Sequence, residues 1–252
     1  MTERRHLFET MGTMVSLTVE TTERGEGYVA PVEETFARYD AGFSLYKPTS
    51  ELSRIASHDL DLANASAGMR ETYALALEWR DLTHGDFTPH RPDGVIDLSG
   101  IVKALAMARA GAELNRFGMN DWCLNVGGDV VASGRRQADE PWVVGIVDPQ
   151  DRSALLTATT FLGSRRACAT SGSAERGDHI WTIGGQPSRF VQATVIADDI
   201  VTADVLATAI IAGGPVALER ICGTWNIDAM TVDHDGNIRM TPNFATRVPS
   251  DR

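Results

Sequence analysis

From Thr13 to Glu20 the chain reads TMVSLTVE, apolar and polar residues alternating with valine and threonine prominent, which predicts a strand. The period then lengthens. Val29, Val32, Phe36 and Tyr39 recur at helical spacing, and Met69, Tyr73 and Leu77 repeat the pattern between Ala67 and Leu82, before the His84-Gly85 turn. A third helix is punctuated at both ends: Ser99 is placed to cap it, Val102, Leu105 and Leu114 give its apolar positions, and Gly118 ends it. Beyond residue 120 the pattern turns mostly to strands, at Trp122 to Val131, Trp142 to Val147, Leu155 to Leu162, His179 to Ile183 and Phe190 to Ile196. A helix is expected from near Thr202 to Gly213-Gly214-Pro215, with Pro215 opening a short one from Val216 to Cys222. The hairpin Asp228 to Met240 turns at Asp235-Gly236. Helices and strands mix without a strict βαβ alternation, so the expected class is α+β with mostly antiparallel sheets and packed helices, in a single domain over 1–252.

Composition narrows the partners. The 252 residues are 43% hydrophobic and 23% charged, ordinary for a globular chain, with no uninterrupted apolar run of membrane-spanning length. Met1 to Thr13 carries Arg4 and Arg5 but no apolar core region, so neither a signal peptide nor a membrane anchor is expected. Cys123, Cys168 and Cys222 are odd in number and form no CxxC pair, which fits free thiols in a reducing cytoplasm. The net charge of −11 argues against non-specific nucleic-acid binding, which needs a basic surface. It does not forbid an anionic ligand held by a metal ion and a few local cations.

Four polar stretches carry candidate chemistry: Ile96 to Lys103, Asn125 to Val130, Ala169 to His179 and Ala203 to Thr208; none is a Walker A loop or a GxGxxG turn. Asp204 and Thr208 are four apart on a predicted helix, so their oxygens share a face and can meet a hard cation. Alternatively, Asp204 favours the positive helix end and Thr208 packs. Gly127-Gly128-Asp129 reads as a tight turn, although it can also let backbone approach a ligand. Thr170-Ser171-Gly172 is either a phosphate cradle or a plain polar loop. Among six histidines, His179 stands out at the head of a strand, as a structural residue or a base, and no two have zinc-ligand spacing.

In order along the chain, six stretches resemble the ApbE family of FAD:protein FMN transferases. They are Met11-Gly12-Thr13, Phe43 to Arg54 (FSLYKPTSELSR), Asp97 to Lys103 (DLSGIVK), Asn125 to Asp129 (NVGGD), Ala169 to Gly172 with His179, and Ala203 to Thr208 (ADVLAT). The resemblance implies a two-lobed α+β arrangement with FAD in a cleft between the lobes. Carried over residue by residue, Met11, Tyr46, Asp86, Phe87, Thr88, Asp97, Lys103 and His179 would contact FAD, and Thr170, Ser171 and Gly172 would line its phosphates. Mg2+ would be held by the Asp204 carboxylate, the Thr208 hydroxyl and the Gly100 carbonyl. FMN would then pass from FAD to a threonine hydroxyl of an acceptor protein, with His179 taking the proton and AMP leaving.

The chain departs from the family at several points. The family's GAFDPT reads Gly85-Asp86-Phe87-Thr88-Pro89-His90, so Thr88 replaces its aspartate. Only Arg91 to Ile96 stand where the family has a much longer segment, Ala104 follows Lys103, and Ala108 replaces a helix aspartate. Two further readings share the same residues: an FAD pyrophosphatase in which water replaces the threonine, and a relative that only binds a flavin nucleotide.

Overall fold

Paired left-handed residues fold the chain back at two places, Met11-Gly12 (φ 49° and 70°) and Gly127-Gly128 (φ 60° and 101°). Two-residue turns of this kind match the twist of the strands they join. The computed structural model describes residues 2–22, 25–136, 139–172 and 188–249. The first turn joins β1 (Thr2–Thr10) to β2 (Thr13–Thr21), and the second joins β3 (Asp121–Val126) to β4 (Asp129–Ser133). The expected single strand from Trp122 to Val131 is therefore a hairpin, because two successive glycines take φ above zero there.

Between these hairpins lie α1 (Val29–Phe43), the short α2 (Glu51–Ala56), α3 (Ala67–Leu82) and α4 (Ser99–Arg116). Ser99 does not cap α4. It is the first helical residue, and the Asp97 carboxylate accepts its N–H at 2.9 Å. The other end follows expectation: Gly118 (φ 77°) and Met119 donate back to Asn115 and Leu114, closing a Schellman motif.

The second half holds β5 (Val143–Val147), β6 (Leu155–Thr160), β7 (Ala167–Gly172), β8 (Phe190–Ala197), α5 (Ile200–Thr224), β9 (Asp228–Asp233), β10 (Ile238–Met240) and α6 (Pro242–Arg247). Thr170-Ser171-Gly172 thus belongs to a strand rather than a loop. The expected strand from His179 to Ile183 lies outside the described residues, as does His179 itself. Gly214 takes φ 64° and ψ −149°, which breaks α5 where the Gly-Gly-Pro run predicts a break. By length and composition α5 is apolar enough to cross a bilayer, but two thirds of its most apolar window is buried inside the protein. Its hydrophobicity is spent on the core.

Eight strands form one sheet in the order β1-β2-β3-β4-β7-β8-β9-β10, every neighbouring pair antiparallel, and β5 and β6 form a separate pair. Alternate residues of the central strands supply two apolar clusters. Val131, Ala167, Ala169, Val195 and Ala229 join the larger one, with Phe36, Met69, Leu114 and Leu206 from the helices. Val130, Cys168, Ile196 and Met230 join the smaller one, with Trp142, Phe161 and Phe244. Successive strand side chains point to opposite faces, so the sheet separates the two clusters. The α+β class with antiparallel sheets is as the sequence predicts.

Candidate functional site

Each hairpin tip fixes its neighbour. Gly127 donates its N–H to the Met14 carbonyl at 3.1 Å, and a Cβ on Gly127 would meet Thr13 Oγ1 at 2.5 Å. Only glycine permits that approach, so the MGT and NVGGD stretches lie side by side. Asn125 Oδ1 accepts the Gly128 N–H at 3.0 Å and shapes the turn. The next residue, Asp129, is 1% exposed. It does not bond its own turn; its Oδ1 accepts the Thr170 N–H at 2.9 Å, and its Oδ2 forms an ion pair with Lys103.

Lys103, in the second turn of α4, reaches towards a second acid: its Nζ lies 3.8 Å from Oδ1 of Asp204 on α5. The side chains of Lys103, Asp129 and Asp204 are 10%, 1% and 5% exposed. A buried charge is tolerated where partners compensate it, so these three positions depend on one another. The alternative account of Asp204 weakens here. Because α5 begins at Ile200, Asp204 sits past the first turn, beyond most of the dipole's reach. Asp199 occupies the cap instead, accepting the Thr202 N–H at 2.9 Å.

One turn along α5, Thr208 Oγ1 lies 3.1 Å from Ser171 Oγ of β7, and Thr170 Oγ1 lies 3.0 Å from Thr194 Oγ1 on β8. Gly172 closes β7 against β8, where a Cβ would meet the Val191 carbonyl at 2.8 Å. Near the start of α4, a Cβ on Gly100 would meet the Phe87 ring at 3.0 Å. Phe87 is held by its own N–H, which donates to Thr83 Oγ1 at 3.1 Å. Asp86 pairs with Arg220, which also donates to the Thr83 carbonyl at 3.0 Å.

The structure therefore brings together Lys103, Asp204, Thr208, Thr170 and Ser171, joins Phe87 to Gly100, and sets the Met11 turn beside that of Gly127. The remaining candidates among the described residues have local settings of their own. Tyr46 is 81% exposed, Asp97 bonds the start of α4, and Thr88 Oγ1 accepts the His90 N–H at 3.2 Å. A solvent-open cleft with about 470 Å³ of empty space runs past Gly128, Thr170, Gly172, Gln192, Asp148 and Arg152. It borders β7 but does not reach Asp204 or Thr208. The residue that sequence reasoning missed is Asp129, twenty-six positions from Lys103 and read as part of a turn. The signal available was an acid directly after two glycines.

Two thiols are poor nucleophiles here: burial pushes Cys123 up to about 12, and burial, with Asp129 adding to it, pushes Cys168 up as well. Among the described residues no three His, Cys, Asp or Glu side chains cluster. Asp204 and the paired Thr208 and Ser171 hydroxyls present mixed oxygens, a carboxylate on one helix with hydroxyls one turn on. Such a set suits a hard ion that keeps waters or takes phosphate oxygens.

Fold and residues together define an α+β protein whose polar centre is assembled from two hairpin turns, two helix starts and a central strand. The chain belongs to the ApbE family, which it matches over residues 11–91 and 90–231. The two matches meet where the shortened segment falls, and there the structure closes a tight turn. Arg91 N donates to the Val95 carbonyl and Gly94 N to the Arg91 carbonyl, both at 2.9 Å. An FAD:protein FMN transferase of Rhodobacter capsulatus is 29% identical over 167 residues, which are 61% of this chain and 31% of that one. Another, of Klebsiella pneumoniae (strain 342), is 25% identical over 198 residues, 73% of this chain and 55% of that one. This chain thus spans from about a third to about half the length of these relatives. The crystal structure of the ApbE protein of Thermotoga maritima MSB8 shares the fold, with a TM-score of 0.84 at 21% identity, covering 99% of this chain and 100% of that one.

Proposed function

We propose that this chain transfers FMN from FAD to a threonine hydroxyl of an acceptor protein and releases AMP, with Mg2+ at Asp204, Thr208 and the Gly100 carbonyl. The observation that carries the reading is that Asp204 meets Lys103 while Thr208, one turn further on the same helix, meets Ser171 beside Thr170. The single carboxylate and neighbouring hydroxyls fit magnesium, which usually binds through one or two carboxylates plus substrate phosphates. When bound, the ion would neutralise charge on the pyrophosphate as AMP departs. Lys103 supplies a fixed positive charge close by, which acts on phosphate oxygens without bidentate geometry. Thr170 and Ser171 offer hydroxyls along β7, and Gly172 lets that strand lie close against β8 at Val191. His179 is the proposed base on the strength of the family resemblance.

The test is incubation with FAD, magnesium and a candidate acceptor, following AMP and the acceptor's mass together. AMP release matched by an FMN-sized mass gain is expected. AMP without the adduct means hydrolysis, and neither means a binder. Asp204→Asn should melt near wild type and lose turnover; undiminished AMP release would remove Asp204 from the metal site. His179→Ala should still bind FAD while its single-turnover rate falls by roughly 10² to 10⁴-fold, the usual worth of a positioned base. Calorimetry should give tighter FAD binding with magnesium than with EDTA, and equal affinity in both would take the metal out of the mechanism.

A further inference from the structure

We propose that Asp129 is a positioning residue for the cation site: it draws the Lys103 ammonium to itself and so weakens that lysine's hold on the Asp204 carboxylate, which a divalent ion would share. The inference rests on the reading of Asp204 and Thr208 as metal ligands. Its basis is an asymmetry. Lys103 is in direct ion-pair contact with Asp129 Oδ2, whereas Asp204 Oδ1 stands 3.8 Å away. An ammonium and a divalent cation compete for the same carboxylate, and two positive charges repel strongly in a buried setting. The lysine must therefore have another acid to hold it, and Asp129 is built to be that acid. It follows directly on the Gly127-Gly128 turn, and its second oxygen is fixed by the Thr170 N–H at 2.9 Å. The protein thereby keeps a positive charge next to the site without filling it.

Removing the charge of Asp129 has a definite consequence. Asn at 129 still accepts the Thr170 N–H, but Lys103 loses its closest anion. Asp204, the next described acid, then becomes its main partner, and the lysine closes on the carboxylate a cation needs. Asp129→Asn should weaken magnesium binding by roughly 10- to 100-fold, the usual cost of losing a residue that orients a metal's ligands. Lys103→Met should bind magnesium at least as tightly as wild type, since it removes the competitor. The double variant Lys103→Met/Asp129→Asn should recover most of the affinity lost in Asp129→Asn.

The experiment titrates magnesium chloride alone, without FAD, into the 252-residue wild-type chain and three variants by calorimetry, with a metal-free melt of each. Omitting FAD keeps any contact of Lys103 with phosphate out of the measurement. Recovery in the double variant supports the inference, because a purely structural role for Asp129 gives a double variant as weak as the single one. Equal affinity in wild type and Asp129→Asn, no recovery in the double variant, or weaker binding in Lys103→Met would overturn it. Should Asp129→Asn fail its melt, the Lys103→Met arm decides alone. A wild type that ignores magnesium also overturns it, while the FAD titrations with magnesium and EDTA judge the metal reading separately.

Discussion

His90 shows how one residue's surroundings set a measurable pH dependence. Burial, and then the Arg80 guanidinium, hold its imidazole below the ordinary value of 6.5, and its Nε2 lies 2.9 Å from the Tyr73 hydroxyl. A lowered folded-state pKa means that folding favours the neutral ring. Its contribution is fully present above about 6.5 and is lost as pH falls through the lower folded value. The wild-type melting temperature should therefore drop between pH 7.5 and 5.5 more steeply than that of His90→Gln. Parallel slopes would show that His90 titrates as freely folded as unfolded. His90 closes the shortened segment, bridging to Ile96, so the effect belongs to the turn that replaces the family's longer insert. At this scale the sequence was partly legible. Asp204 and Thr208 stand out because i and i+4 share a helix face. Asp129 does not, because its partners Lys103 and Thr170 come from an earlier helix and a later strand, and no local spacing links them.

Elements with a clear apolar period or a β-branched run were readable, even β8, which is buried on both faces and follows the strand expected from Phe190 to Ile196; β7 and β1 were not. Helix α3 spans Ala67–Leu82 as its period predicts, with Met69, Thr72, Ala76 and Trp79 inward. Strand β7 escaped notice because Ala167–Gly172 is made of small residues, mostly buried between the two clusters, so no alternation survives. Strand β1 escaped for the opposite reason: its inward positions include Arg4 and His6, and it lies at the sheet edge. Helix packing against the sheet gives a sharp test at Gly111 of α4. A Cβ there would meet Trp122 Cη2 at 2.6 Å, and the indole is also tied to Asn115 Oδ1 at 2.9 Å. Alanine gains up to about 1 kcal/mol in helix propensity over glycine. Overpacking against a held ring costs about 1–3 kcal/mol. The second effect is the larger, so Gly111→Ala should be destabilised by about 1 kcal/mol, read as a lower urea midpoint with unchanged slope. A raised midpoint would mean that α4 slides off β3 without cost.

For the whole molecule, strand-rich texture without βαβ alternation was enough to foresee an antiparallel α+β class. It could not foresee that β4 pairs with β7, which depends on contacts distant in sequence. That pairing bears on whether the chain is one folding unit, as we propose. The sheet runs unbroken between the clusters, and neighbouring residues of β7, β8 and β9 feed both of them. An ionic tie spans long intervals of sequence on the smaller cluster's side. Asp228 is fully buried and pairs with Arg165 at 3.3 Å and Arg247 at 2.7 Å, while Arg165 also reaches Asp198 at 2.7 Å. Loss of either cluster would expose one face of the same strands, and loss of the smaller one would also leave Asp228 without its partners, which links the fates of the two sides. Chains beyond about 150 residues often populate intermediates, so cooperativity here has to be argued from such links rather than assumed. The tryptophans make the argument measurable. Trp79 stacks on Trp225 with ring centres 5.2 Å apart beside the larger cluster, and Trp142 lies in the smaller one. Urea unfolding followed by fluorescence in wild type and in Trp142→Phe should give the same midpoint as far-UV circular dichroism. An earlier fluorescence midpoint that disappears with Trp142 would mean that β5, β6 and α6 come away first. The chain would then be a stable sheet-and-helix body with a detachable second layer, and the single-domain proposal would fail.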